Sequence, residues 1–189
     1  MKASVFLDRD GVINHDLSDY VRTLEDWEPI DGAFGALARL TRAGHPLVVV
    51  TNQSAVARGY TSKKVVEEIH RKMIQRAGKV GAEINAVYYC PHAPGTECDC
   101  RKPKTGMVDR ARDELSLPPG GYLIGDAASD MELGRRAGLL TVMVLTGRGR
   151  SELDRIRDRR KTMPWKIAAD LIQAVDIILD NEDTGGRET

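Results

Sequence analysis

Cysteine is scarce in this chain, with three residues in 189, all between positions 90 and 100. An odd number bunched so tightly is not the framework of a disulfide-stapled secreted domain, so reduced thiols and a metal fit better. Net charge is missing too. Lys plus Arg and Asp plus Glu each number 28, for a formal charge of zero. That excludes a general electrostatic pull toward nucleic acid or an anionic membrane and leaves only local charge recognition. No apolar run approaches the roughly 20 residues that cross a bilayer. The start, Met1-Lys2-Ala3-Ser4-Val5-Phe6-Leu7-Asp8, meets an acid before it can form the apolar stretch of a signal peptide. These absences predict a cytoplasmic protein with no membrane or nucleic-acid partner. Internal repeats and low-complexity tracts are absent as well.

What remains is an ordinary globular composition, 41% hydrophobic and 30% charged, in a chain long enough for one domain but not for two. The expected layout is a single domain over 1–180, with a small cysteine loop at 90–100 and a loose polar tail over 181–189. Short apolar runs at Val5 to Leu7, Leu47 to Val50, Ala86 to Tyr89, Tyr122 to Ile124 and Thr141 to Leu145 read as buried strands. Helical periodicity lies between them: Phe34, Leu37, Ala38 and Leu40 up to Gly44; Val65, Ile69 and Met73 after a cap at Thr61; and Met107, Ala111 and Leu115. Ser129 and Glu132 form the pattern of a capping box, with Gly138 closing that helix. A last helix is expected from about Pro164 to Leu179. Arg148 to Lys161, with seven basic and three acidic residues, reads as a solvated helix or loop, since no aromatics are interleaved with the charges. Strand and helix alternate, which predicts an α/β fold with a doubly wound, Rossmann-like parallel sheet whose functional groups collect at the carboxyl ends of the strands.

Four such ends carry chemistry. The first is Asp8-Arg9-Asp10-Gly11, two acids next to a glycine that lets the backbone bend. The second is Thr51-Asn52-Gln53-Ser54, a hydroxyl and two amides suited to holding phosphoryl oxygens. Arg101-Lys102 follows the third strand, and Asp126 and Asp130 follow the fourth. Taken singly, each reads equally well as a surface turn, a helix cap or a solvated basic segment. In conjunction they suggest an anionic substrate. Cys90, His92, Cys98 and Cys100 offer three thiolates and one imidazole, enough to fill a tetrahedral Zn²⁺ shell with no position left for water, so the expected role is structural; buried or redox-active thiols are the alternative.

These four motifs, in this order, resemble those of the haloacid dehalogenase superfamily of phosphotransferases. The resemblance implies Asp8 as nucleophile, Asp10 as general acid and base, and Thr51 and Lys102 as phosphoryl-binding groups. It also implies Asp126 as a Mg²⁺ ligand together with Asp8 and the backbone carbonyl of Asp10, with Asp130 behind them. The cysteine loop narrows the resemblance to the branch that holds heptose 1,7-bisphosphate 7-phosphatases and histidinol-phosphate phosphatases. The heptose enzymes are favoured by matches at Phe6 to Asn14, Val50 to Ser54, Ala57-Arg58-Gly59, Tyr88 to His92 and Arg101-Lys102-Pro103. That likeness implies a small sugar bisphosphate as substrate, contacted by Asp16, Tyr20, Asn52, Gln53, Ser54 and Arg101, with Arg101 facing the second phosphate. It also implies an aspartyl-phosphate intermediate, no large cap domain and a monomer. The short gap between His92 and Cys98 is more like the histidinol-phosphate branch, and a non-catalytic zinc module is the remote alternative.

Overall fold

The computed structural model describes residues 2–158 and 162–185. The elements run β1 (Val5–Leu7), α1 (Ala33–Arg42), β2 (Leu47–Asn52), α2 (Lys63–Gly78), β3 (Ile84–Cys90), α3 (Gly106–Leu115), β4 (Tyr122–Gly125), α4 (Ala128–Ala137), β5 (Leu140–Val144), α5 (Gly149–Asp158), β6 (Lys166–Ala168) and α6 (Leu171–Gly185). All strand pairings are parallel, in the order β3-β2-β1-β4-β5-β6. This is the doubly wound α/β arrangement that the alternating pattern predicts.

The strands are apolar on both faces because helices cover both. Val5 and Leu7 of β1 pack into the core that holds Leu37 and Leu40 of α1, Ile69 and Met73 of α2, and Val175 and Ile178 of α6. Phe6 points the other way, toward Met107 and Val108 of α3 and Leu133 of α4. A third cluster, Met131, Met143, Leu153 and Ile156, seats α5. Each fully buried large side chain contributes roughly 1.5–3 kcal/mol against exposure. The strand order reverses between β1 and β4, both of which flank the centre of the sheet. A doubly wound sheet opens a crevice at the carboxyl ends of such strands, and Asp8 and Asp126 sit there.

The five expected strands are present, and the structure adds a sixth. Residues expected to start the last helix, from Pro164, instead pair as β6 against β5, with Val142 opposite Lys166 and Val144 opposite Ala168. Three residues are too few for a period to show in the sequence. The helix α6 starts at Leu171 and runs to Gly185, so part of the expected loose tail is helical. Within it, Asn181 Nδ2 donates to the Tyr122 hydroxyl at 2.8 Å, and that hydroxyl donates to Glu182 Oε1 at 2.9 Å. Residues 186–189, the rest of the expected tail, lie outside the described residues, as do 159–161 of the basic segment.

Two expected caps are displaced by one or two residues. Ser62, not Thr61, caps α2, its Oγ accepting from the Val65 N–H at 3.3 Å, while Thr61 Oγ1 donates to the Arg22 carbonyl. The Ser129–Glu132 box does not form, because α4 begins at Ala128 directly after the Asp126 turn and Ser129 falls inside the first turn. Ala127 holds the N-cap position, and Asp130, the third residue of the helix, reaches back to accept its N–H at 3.1 Å. Glu132 binds Arg135, Arg136 and Thr162. Gly138, at φ 67°, closes the helix as expected.

Among the described residues no large cap domain interrupts the sheet. The connection 8–32 folds back on itself through bridges between Asp10 and Asn14 and between Asn14 and Pro29, lining one side of the crevice. Val12 is fully buried under it.

Candidate active site

Asp8 leaves β1 with one carboxylate oxygen bound to its neighbour's backbone, since Arg9 N–H donates to Oδ1 at 2.7 Å. Its Oδ2 lies 2.8 Å from Lys102 Nζ. Lys102 is buried, reaches Asp130 Oδ1 at 2.7 Å and donates to the Val50 carbonyl at 3.1 Å. Burial alone would push the ammonium pKa down, but Asp130 and Asp8 outweigh it and raise it. Lys102 is therefore a fixed cation, and its charge is shared between two acids. Its backbone is held by Asn52, whose Oδ1 accepts from Lys102 N–H at 3.1 Å.

Asp8, Asp126 and Asp130 bring carboxylate oxygens within 4.8 Å of one another. Asp126 Oδ2 accepts from Arg148 N–H at 2.8 Å, whereas Oδ1 is buried with no hydrogen-bond partner. Arg148 Nη2 stands 3.8 Å from that oxygen, too far for a hydrogen bond, and a buried carboxylate oxygen without a donor costs free energy unless a cation meets it closely. Burial, then the charges of Asp8 and Asp130, push Asp126 up to about 8. Asp130 is pushed up to about 6, by burial against the opposing pull of Lys102. Crowded hard oxygen donors with raised pKa values are the donor set that suits Mg²⁺, so these residues fit that ion.

Glycines let the acids come together. Gly11 (φ 78°) and Gly147 (φ 54°) pack against each other, and a Cβ on either would collide with the Asp126 carboxylate. Only glycine serves at both places.

Asp10 is arranged differently. Its Oδ1 accepts from Arg9 Nε at 2.9 Å, Arg9 Nη2 at 2.8 Å and Asn14 Nδ2 at 2.9 Å, and its Oδ2 accepts from Gln53 Nε2 at 2.8 Å and Arg9 Nη2 at 3.0 Å. Burial would raise its pKa, but the Arg9 charge with the Asn14 and Gln53 hydrogen bonds more than reverses this and lowers it. The structure thus holds Asp10 as a carboxylate, the form of a base.

A cavity of about 560 Å³ opens above these groups. Of the residues expected to touch substrate, Asp16, Tyr20, Asn52, Ser54 and Arg101 line it, as do Thr51 and Lys102. Gln53 does not. It is buried, and its amide is spent on Asp10, Arg9 and Thr51, so its place is behind the cavity wall. Its position in a run of polar residues could not distinguish the two. Arg148 also lines the cavity, with Nε 3.2 Å from Asp16 Oδ2. The absence of interleaved aromatics makes the basic segment read as solvated, but its first residue stands at a fifth strand end that faces the cavity. The fifth, after Val144, supplies Thr146, Gly147 and Arg148, and Thr146 donates to the Gly11 carbonyl.

The cysteine loop is compact. Cys90 Sγ is 3.9 Å from Cys98 Sγ and 3.6 Å from His92 Nδ1, and Cys100 Sγ is 3.3 Å from His92 Nδ1. A tetrahedron with Zn–S bonds of about 2.3 Å has edges of about 3.8 Å; these three separations are close to that length, and all four donor atoms lie within 4.8 Å of one another. Burial, with Cys90 and Cys98 alongside, pushes the Cys100 thiol up to about 12, a penalty that a bound cation removes. Pro94 and Arg101 carry this loop to the cavity wall, and Arg101 Nη1 donates to the His92 carbonyl at 3.0 Å.

The arrangement has counterparts. A D-glycero-β-D-manno-heptose-1,7-bisphosphate 7-phosphatase of Pseudomonas aeruginosa is 41% identical over 149 residues, covering 78% of this chain and 84% of the relative. One from Vibrio cholerae is 42% identical over 175 residues, covering 83% and 94%. The chain belongs to the haloacid dehalogenase superfamily of phosphatases. A HAD-hydrolase-like family model matches residues 99–174, which covers the third and fourth motifs. The crystal structure of a D,D-heptose 1,7-bisphosphate phosphatase from Bordetella bronchiseptica, complexed with magnesium and phosphate, superposes with a TM-score of 0.87 at 31% identity over 95% of this chain and 99% of that one. The chain is thus a phosphomonoester hydrolase whose relatives include heptose bisphosphate phosphatases. No described helix is long and apolar enough to cross a membrane.

Proposed function

We propose that this enzyme removes the 7-phosphate of D-glycero-D-manno-heptose 1,7-bisphosphate in the cytoplasm, with Mg²⁺ at Asp8, Asp126 and the Asp10 carbonyl and a structural Zn²⁺ in the cysteine loop. The observation that carries the reading is the buried Asp126 Oδ1, which accepts no hydrogen bond, beside the Asp8–Lys102 pair that lines the cavity. Mg²⁺ there supplies charge neutralisation for an anionic substrate.

Asp8 Oδ2 is the nucleophile. It attacks phosphorus to form an aspartyl phosphate while the sugar oxygen leaves with a proton from Asp10. Lys102 and the Thr51 hydroxyl hold phosphoryl oxygens and offset the repulsion between carboxylate and phosphate. Water then attacks phosphorus, its proton passes to Asp10, and the bond to Asp8 breaks. The clamp on Asp10 favours the second step, and it has to relax when Asp10 acts as the acid. Arg101, also on the cavity wall, is suited to fork onto a second phosphate.

Catalytic efficiency on heptose 1,7-bisphosphate, histidinol phosphate and fructose 1,6-bisphosphate tests the reading. Heptose bisphosphate is expected to lead by about tenfold or more, with release of the 7-phosphate seen by phosphorus NMR. A lead for histidinol phosphate overturns the substrate assignment.

A further inference from the structure

Among the described residues Arg9 heads the large side chains with no exposure, and it stands between the two acids of the first motif. A buried guanidinium needs an acceptor for each face of its fork. Asp10 and Gln53 take Nε and Nη2. The remaining contact comes from α2, 61 residues along the chain, where His70 Nε2 lies 3.2 Å from Arg9 Nη1. Arginine has no acceptor, so His70 Nε2 must be the lone-pair nitrogen and its proton must sit on Nδ1. His70 is 6% exposed and packs edge-on against Tyr89 with ring centroids 5.4 Å apart.

We infer that His70 is a positioning residue for the phosphatase reaction: as a neutral acceptor it fixes the Arg9 guanidinium, which in turn orients the Asp10 carboxylate. The inference rests on the phosphatase reading for Asp10's role. His70 touches neither the cavity nor the metal-ligating acids, and it acts only through Arg9. Burial, then the Arg9 charge, hold its imidazole down at about 3, so it remains an acceptor over the working range. Without it, Nη1 loses its partner in a dry interior, and the fork can rotate away from Asp10.

The test pairs His70→Leu, which removes the acceptor, with His70→Gln, which can present a carbonyl oxygen. The expected result is a fall in kcat of about tenfold or more for Leu, with KM within about twofold, and recovery of most of the loss by Gln. Unchanged kcat in folded His70→Leu, or equal damage in both variants, overturns the inference. If the Leu variant fails to fold, nitrogen NMR of the wild-type imidazole decides: a neutral ring protonated on Nδ1 down to pH about 5 is expected, and a proton on Nε2 refutes the assignment. Any phosphomonoester that the wild type hydrolyses serves for the kinetics, so failure of the heptose assignment leaves this test intact.

Discussion

Cys90, His92, Cys98 and Cys100 come from one short stretch after β3, whereas Asp8, Asp126 and Asp130 come from the ends of two strands in opposite halves of the chain. The cysteine loop closes on itself, with four soft donors within 4.8 Å of one another, a set that fills a tetrahedral shell and leaves no position for a substrate. The acid cluster is open, with the buried Asp126 Oδ1 accepting no hydrogen bond and a cavity above it. The first builds a wall, and the second does chemistry against it. The two meet where Cys100 is followed directly by Arg101 and Lys102.

The sharpest way to separate them is Asp8→Asn. Turnover should fall on the order of 10⁴-fold, while elemental analysis still finds about one zinc per chain. Zinc loss together with activity would mean that the two centres are not independent.

Breaking the other side has a different signature. Cys98→Ser, or removal of zinc by a chelator, should lower the thermal midpoint and reduce kcat/KM by about 10- to 100-fold, because Arg101 and Lys102 lose their support. Thermal melts with and without chelator check the first part and steady-state kinetics the second. A purified protein without zinc refutes the structural role.

Gly147→Ala attacks the acid cluster from behind, at a φ of 54° and against the Asp126 carboxylate. Mg²⁺ affinity should weaken by about tenfold or more, measured by titration calorimetry, with zinc content unchanged.

The most graded effect is in pH. Because Asp126 ionises near 8 without a cation, Mg²⁺ has to displace its proton at lower pH. Affinity should drop by up to about tenfold per unit from pH 8 down to 6, and more steeply below that as Asp130, near 6, also protonates. The stability sign agrees. A carboxyl raised above its ordinary 3.8 costs the metal-free fold stability as pH climbs from there to about 8, where the unfolded state has lost its proton and the folded state has not. Mg²⁺ should restore that loss in thermal melts, and no metal effect at pH 8 would contradict the assignment.

Much of this site is legible in the linear chain, since each strand end carries its polar residues immediately after an apolar run, and chain connectivity delivers them to one edge of the sheet. Asp8, Thr51, Lys102 and Asp126 are found that way. Arg9, His70 and Arg148 are not. Arg9 reads as an ordinary charge between two acids, His70 as one more residue on an amphipathic helix, and Arg148 as part of a solvated basic face. The roles of Arg9 and His70 follow from burial, and a polar residue carries no local mark of being buried; that of Arg148, which is exposed, follows from the approach of the fifth strand end to Asp16 and Asp126. Gln53 shows the converse, a polar strand-end residue that turned inward.

The sequence by itself determined the alternation of strand and helix, the four polar strand ends, and the closed set of soft ligands, because all three are short-range patterns of residue type. Tertiary structure alone decided which carboxylate keeps a free oxygen, which is clamped as a base, and which helix supplies the acceptor behind it. Those outcomes depend on desolvation and on contacts between segments tens of residues apart, and neither exists until the sheet has assembled.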